Sequence, residues 1–162
     1  METSTQTMQS YLTFRLAEEF FATNVSKVLE ILEIPKITKV PRSPAFMRGV
    51  INLRGSVLPV IDARTKFGLT ETEDTVNSCI MVLEINMQDQ TITIGAVVDA
   101  VQEVMEISPA DMLPAPSIGS KYRGEFIEGM VKSEDGFIMV LDLDKVLSTE
   151  DANILQQMSD AS

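Results

Sequence analysis

The chain has 162 residues, 44% of them apolar, which is enough for one good core or two small adjoining ones. Its 13 Lys and Arg against 24 Asp and Glu leave a net charge of −11, and no stretch concentrates cations, so nucleic acid and anionic membrane surfaces are excluded as natural partners. There is no His, which rules out Ser-His and Cys-His catalysis, His phosphotransfer and the commonest transition-metal ligand; the 8 scattered glycines form no phosphate loop.

Residues 1–10 are polar and lack the basic start and apolar run of a signal peptide, and no later stretch reaches the roughly 18 apolar residues of a membrane span, so the chain reads as cytoplasmic without membrane insertion. The first β-like segment is 11–16, followed by an aliphatic stretch at 25–34. Residues 46–51 and 57–62 flank Gly55-Ser56, which reads as a hairpin turn. Asp62 follows an aliphatic strand and caps a short helix at 63–67, with Gly68 as its stop. Residues 70–75 are acidic, carry no apolar anchor and predict a surface loop.

Cys79 is the one cysteine; it excludes an internal disulfide, fits a reducing compartment and reads as a small core residue at the head of the strand 80–85. Residues 87–90 turn that strand into a second at 91–98. After 98–107 comes an irregular connection, 114–120, rich in Pro. Residues 126–131 and 137–142 flank Asp135-Gly136, a second hairpin turn, and Asp142 caps a helical segment at 143–147. Ser148 or Thr149 caps a final helix whose Ile154, Leu155 and Met158 share a face that packs on the rest. Most methionines, among them Met81, Met105 and Met139, alternate with aliphatics and read as core.

Two halves of this string resemble each other. At a spacing of 80, Phe46 and Gly49 fall on Phe126 and Gly129, and Val60 and Asp62 fall on Val140 and Asp142. At a spacing of 73, Glu30, Glu33 and Ile34 fall on Glu103, Glu106 and Ile107. Short strands at such spacing, with few and brief helices, predict a small barrel or sandwich in duplicate.

Residues that could carry chemistry are few. Asp62 and Asp142 are paired carboxylates in equivalent places, the arrangement of an aspartate-dependent hydrolase, but Asp62-Ala63-Arg64 and Asp142-Leu143-Asp144 lack the small residues that let two acids approach, and helix capping accounts for both. The carboxylate cluster at 71–74 lacks the ligand spacing of a calcium loop and reads as a solvated acidic face. No catalytic residue, metal or cofactor is assigned.

The stretch 46–68, with Asn52-Leu53-Arg54-Gly55 and Pro59-Val60-Ile61-Asp62, resembles the signature of the CheW family, as do 94–101 and 129–147. That resemblance implies a mainly β fold of two pseudo-symmetric five-stranded SH3-like barrels sharing a core, with short helices and a C-terminal helix. It implies a CheW-like domain at 9–149, copy one at about 11–68 and copy two at about 78–148, followed by a helix and tail at 150–162. It also implies a non-catalytic scaffold, or adaptor, for signal transduction in chemotaxis. Its partners would be the cytoplasmic tips of chemoreceptors, the regulatory domain of the histidine kinase CheA, and other CheW-like domains in rings at the inner face of the membrane. A related non-flagellar receptor pathway is the alternative setting. Val28, Glu30, Arg54 and Gly55 correspond to receptor-binding positions, and a Glu30–Arg54 ion pair would fix their two segments together. In copy two Arg54 falls on Glu134, so the receptor site is expected in copy one alone, with the kinase contact on apolar strand surface elsewhere.

Overall fold

A computed structural model describes residues 8–69, 73–87, 90–114, 126–134 and 136–160. It holds ten strands: β1 (Gln9–Leu16), β2 (Glu19–Asn24), β3 (Val28–Glu33), β4 (Met47–Leu53), β5 (Ser56–Asp62), β6 (Cys79–Met87), β7 (Gln90–Val98), β8 (Ala100–Ile107), β9 (Ile127–Ser133) and β10 (Gly136–Leu141). Helix α1 (Ala63–Lys66) follows β5, and α2 (Thr149–Asp160) ends the described chain.

The strands form two five-stranded sheets, ordered β3-β6-β7-β5-β4 and β8-β1-β2-β10-β9. Each curls until the chain leaving one edge strand returns to the other edge. Thr38, beyond β3, exchanges both backbone bonds with Val50 on β4, and Leu113, beyond β8, does the same with Met130 on β9. We call the first closed sheet barrel one and the second barrel two.

Neither barrel is built from one continuous half of the chain. Barrel one takes β3, β4 and β5 from the first half but its β6–β7 hairpin from the second; barrel two takes β8, β9 and β10 from the second half but its β1–β2 hairpin from the first. The borrowed hairpins dock in parallel on equivalent strands: Val60 pairs with Gly95 in barrel one, and Val140 with Ala22 in barrel two. The bond that ends each fifth strand also repeats, from Asp62 N to Phe46 O and from Asp142 N to Phe126 O, at 2.7 and 2.9 Å.

Strand alternation divides the apolar side chains among three cores. Leu58, Val60, Ile80 and Val97 fill barrel one. Tyr11, Ala22, Val131 and Val140 fill barrel two. The opposite faces of the same strands meet between the barrels, where Leu12, Phe14, Ile61, Met81, Ile94 and Leu141 belong to the largest cluster. Phe14, Phe21, Phe67 and Phe126 run through it as a chain of rings 6.0, 5.7 and 4.9 Å apart. Helix α2 adds the buried Ala152 and Leu155 to it, with Met158 half-buried against them; Ile154 is half-buried but is not part of that cluster. Met81 is core as the pattern predicts, whereas Met105 and Met139 are only half-buried. Cys79 is half-buried at the edge of the shared core, and burial pushes its thiol up from the ordinary range.

The caps follow the expected logic. Asp62 Oδ1 accepts from Arg64 N and Thr65 N, and Asp142 Oδ1 accepts from Asp144 N at the head of a single 3-10 turn. Ser148 and Asp151 cap α2 reciprocally, each backbone N–H donating to the other's side chain. Both hairpin turns differ from the sequence reading by one residue. Ser56 is already paired with Leu53, so the loop is Arg54-Gly55, with φ of 51° and 91°. A two-residue turn that matches strand twist needs positive φ at both positions, and Asn52 Oδ1, accepting from Gly55 N at 2.8 Å, holds Arg54 there. Likewise Gly136 pairs with Ser133 and lies outside its turn; Asp135 falls outside the described residues, as do 70–72, 88–89 and 115–120 of the predicted loops.

Candidate functional site

The four copy-one residues singled out above meet at one end of barrel one. β3 is an edge strand, and its register against β6 shifts between Val28 and Glu30, so Leu29 is the extra residue of a bulge. The bulge changes which way the strand faces. Val28 sits opposite Leu83 and packs on the shared core, while Glu30 sits opposite Val82 on the side of barrel one's interior. Leu29 and Ile31 are left 51% and 45% exposed.

Across the mouth of the barrel, the positive φ of Arg54 and Gly55 folds the β4–β5 turn over toward Glu30. Arg54 Nη2 donates to Glu30 Oε2, and Arg54 Nη1 lies 3.4 Å from Glu30 Oε1, a two-pronged pair. The hydrogen bond from the guanidinium, then the carboxylate's charge, raises the Arg54 pKa above the ordinary arginine range. Arg54 is 69% exposed and Glu30 31%, so the pair contributes little to folding; what it does is seal the mouth and present a charged rim beside Leu29 and Ile31.

Two further ion pairs, unforeseen from the sequence, fix this site relative to barrel two. Arg64 of α1 is 1% exposed, its guanidinium placed between Asp62, at 3.5 Å, and Asp99, at 3.3 Å. Asp99 stands where the chain passes from β7 in barrel one to β8 in barrel two, and its other oxygen accepts from Ala17 N in the β1–β2 turn. On the opposite side, Lys27 stands where the chain passes from β2 in barrel two to β3 in barrel one. Its ammonium donates to both oxygens of Asp144, at 2.7 and 2.9 Å, and Asp144 Oδ1 also accepts from Asn86 N. Arg64 and Asp144 are 80 residues apart and occupy equivalent turns. The same latch is therefore built twice, with its charges reversed.

The carboxylates considered for catalysis are engaged in structure. Asp62 caps α1 and faces both Arg48 and Arg64, while Asp142 caps its own turn on the other barrel near Lys145. Asp74, read as part of a solvated acidic face, instead clamps Arg48 at 2.8 Å and approaches Arg64 at 3.5 Å; the Arg48 hydrogen bond holds its pKa below the usual carboxylate range. The signal that could have found it was Arg48 and Arg64 flanking one face of the predicted cap. Among the described residues no group of acids, Cys or His is arranged to hold a metal ion, and no helix is long and apolar enough to cross a membrane.

The family model described as CheW-like domain matches residues 10–151. The chain is 34% identical over 140 residues to the chemotaxis protein CheW of Rhizobium meliloti, a match covering 86% of this chain and 88% of that one. It is 29% identical over 143 residues to Protein FrzA of Myxococcus xanthus, covering 87% and 86%. The crystal structure of the scaffolding protein TtCheW from Thermoanaerobacter tengcongensis superposes with a TM-score of 0.77 at 32% identity, covering 90% of this chain and 96% of that one. Two hairpin-exchanged five-stranded barrels and a family match over nearly the whole length lead to one conclusion: the chain belongs to the CheW family of non-catalytic scaffold proteins of chemotaxis.

Proposed function

We propose that this protein couples the cytoplasmic tips of chemoreceptors to the histidine kinase CheA, and that copy one of the chain supplies the receptor contact. The observation that carries the reading is the Glu30–Arg54 pair at the mouth of barrel one, flanked by the exposed Leu29 and Ile31. An apolar ledge beside a polar rim suits one face of a receptor helix: the apolar side chains supply burial, and the ion pair supplies orientation. Val28 and Gly55 act by positioning, one anchoring β3 on the shared core through its side chain and the other permitting the turn that places Arg54.

The unit 9–149 works as one body in this reading, since each barrel depends on a hairpin from the other half. The kinase contact lies on apolar strand surface outside the Glu30–Arg54 site, and repeated contacts of that kind place the protein in rings with other CheW-like domains beneath the membrane. The match to FrzA favours a second setting, a related receptor pathway that uses the same geometry.

Co-sedimentation with receptor-bearing membranes and kinase tests the proposal. The wild-type chain is expected in the pellet, and Arg54→Glu, which places two carboxylates together at an exposed turn, is expected to stay folded and remain in the supernatant. A folded Arg54→Glu chain that sediments normally overturns the site; a wild-type chain that never sediments and never changes kinase activity overturns the function.

A further inference from the structure

The mouth of barrel two is open where that of barrel one is sealed. A cleft of about 580 Å³ is floored by Phe20, Met105, Phe137 and Ile138, with Phe20 and Phe137 left 39% and 47% exposed. The differences from barrel one lie at matched positions. Leu58, 4% exposed, becomes the half-buried Ile138; Leu53, packed on barrel one's core, becomes the exposed Ser133; Arg54 becomes Glu134.

The rim tells what the opening would accept. Glu30 is matched by Glu103, whose backbone N–H and carbonyl are both bonded to the Thr13 hydroxyl, at 3.1 and 2.8 Å, so its place is fixed. Glu103 and Glu134 therefore line the mouth of barrel two where Glu30 and Arg54 close barrel one. Glu18 and Glu19 add to the same rim, and Lys132 is the lone cation among the described residues lining this cleft. Two like charges at the position of an ion pair repel, and a cation brought between them satisfies both.

We propose that the mouth of barrel two receives a short apolar segment of a partner protein that carries an arginine or lysine. The partner's cation sits between Glu103 and Glu134, doing from outside what Arg54 does within barrel one, and its apolar neighbours cover Phe20, Phe137 and Ile138. Both requirements come from the same opening: the exposed aromatic floor demands an apolar occupant, and the acidic rim demands a positive one. The surface is separate from the Glu30–Arg54 site and stands or falls independently of the receptor reading.

The test uses the full chain and a capped pentapeptide, Leu-Val-Arg-Val-Leu, with its glutamate counterpart, Leu-Val-Glu-Val-Leu, followed by amide chemical shifts. The arginine peptide is expected to move the resonances of Glu103, Gly136 and Ile138, with binding that weakens as salt rises. Glu134→Arg rebuilds the internal pair and is expected to weaken binding on the order of tenfold, and Glu103→Gln by less. A substitution on barrel one, Glu33→Gln, is expected to leave it unchanged. Equal binding of the glutamate peptide, shifts confined to barrel one, undiminished binding to a folded Glu134→Arg chain, or no binding at all would each overturn the proposal.

Discussion

In barrel one, Val82 and Leu58 fill the interior, a glutamate and an arginine close the mouth, and the cation of its latch is an arginine buried to 1% exposure. In barrel two the same positions hold Thr13, Ile138, two glutamates and a latch whose lysine and aspartate remain 19% and 32% exposed. The strand pairings of β3–β5 and β8–β10 repeat closely in the two barrels, so the differences at the two mouths are mainly in side chains. The comparison teaches that the plan of the barrel tolerates both a sealed and an open mouth, and that buried charge and exposed apolar surface are distributed unequally over one repeated scaffold.

The largest expected effect tests the unequal latches. Arg64→Met takes from Asp99, 6% exposed, the arginine at 3.3 Å and from Asp62, also 6% exposed, one of the two arginines that face it, and is expected to cost about 3–5 kcal/mol in urea unfolding. The counterpart Asp144→Asn breaks a half-exposed pair and is expected to cost about 1 kcal/mol or less. Equal losses from the two would dissolve the distinction drawn between the latches.

The closures come next. Gly49 has φ of 143°, and an added Cβ would lie 2.2 Å from Thr38 O, the carbonyl that closes barrel one. Its counterpart Gly129 would place a Cβ 2.5 Å from Met112 Cγ, a side chain that can move, and 2.7 Å from Leu113 O. Gly49→Ala is therefore expected to cost about 3 kcal/mol or more, with strain and clash combined, and Gly129→Ala about 1–3 kcal/mol, both read by thermal unfolding.

Acid should loosen the copy-one side first. Burial raises the Asp151 pKa, but Lys66 at 2.7 Å together with the Ser148 cap more than offsets this, so its carboxyl titrates below the usual range, as does that of Asp74. A depressed carboxylate adds stability that is full above its unfolded value, about 3.9, and is lost as pH falls through the folded value. Amide protection factors in α2, taken relative to the intrinsic exchange rate at each pH, are expected to fall below about pH 4, and Asp151→Asn to lower them already at neutral pH while flattening their acid dependence. The smallest effect is Ser133→Leu, which gives barrel two the residue that barrel one has at Leu53; it is expected to add no more than about 1 kcal/mol of stability.

Much of this was legible in the sequence because it is local. Strand periodicity, Asp62 and Asp142 as caps, the Ser148 cap and the matched spacing of Gly49 and Gly129 all depend on residues near one another in the chain. The exchange of hairpins was not legible: which sheet β1 joins is decided by packing of Leu12 and Phe14 against distant strands, and no local signal records that choice. Arg64 carries no local signal for a related reason, since a lone arginine after a cap reads as surface until Asp99, 35 residues on, is folded against it. The turn at Arg54 was misplaced by one because arginine seldom takes positive φ, and only Asn52 and the strand register show why it does so here.

The exchanged hairpins give the molecule the geometry of a domain-swapped homodimer whose two protomers have been joined end to end between α1 and β6. A symmetric dimer must show every surface twice, and a substitution that improves one copy of a binding site alters the other as well. Joining the halves removes that constraint. Each mouth can change by itself while the shared core continues to hold both barrels in a fixed relation, so the two ends of one small protein can diverge while staying at a set distance.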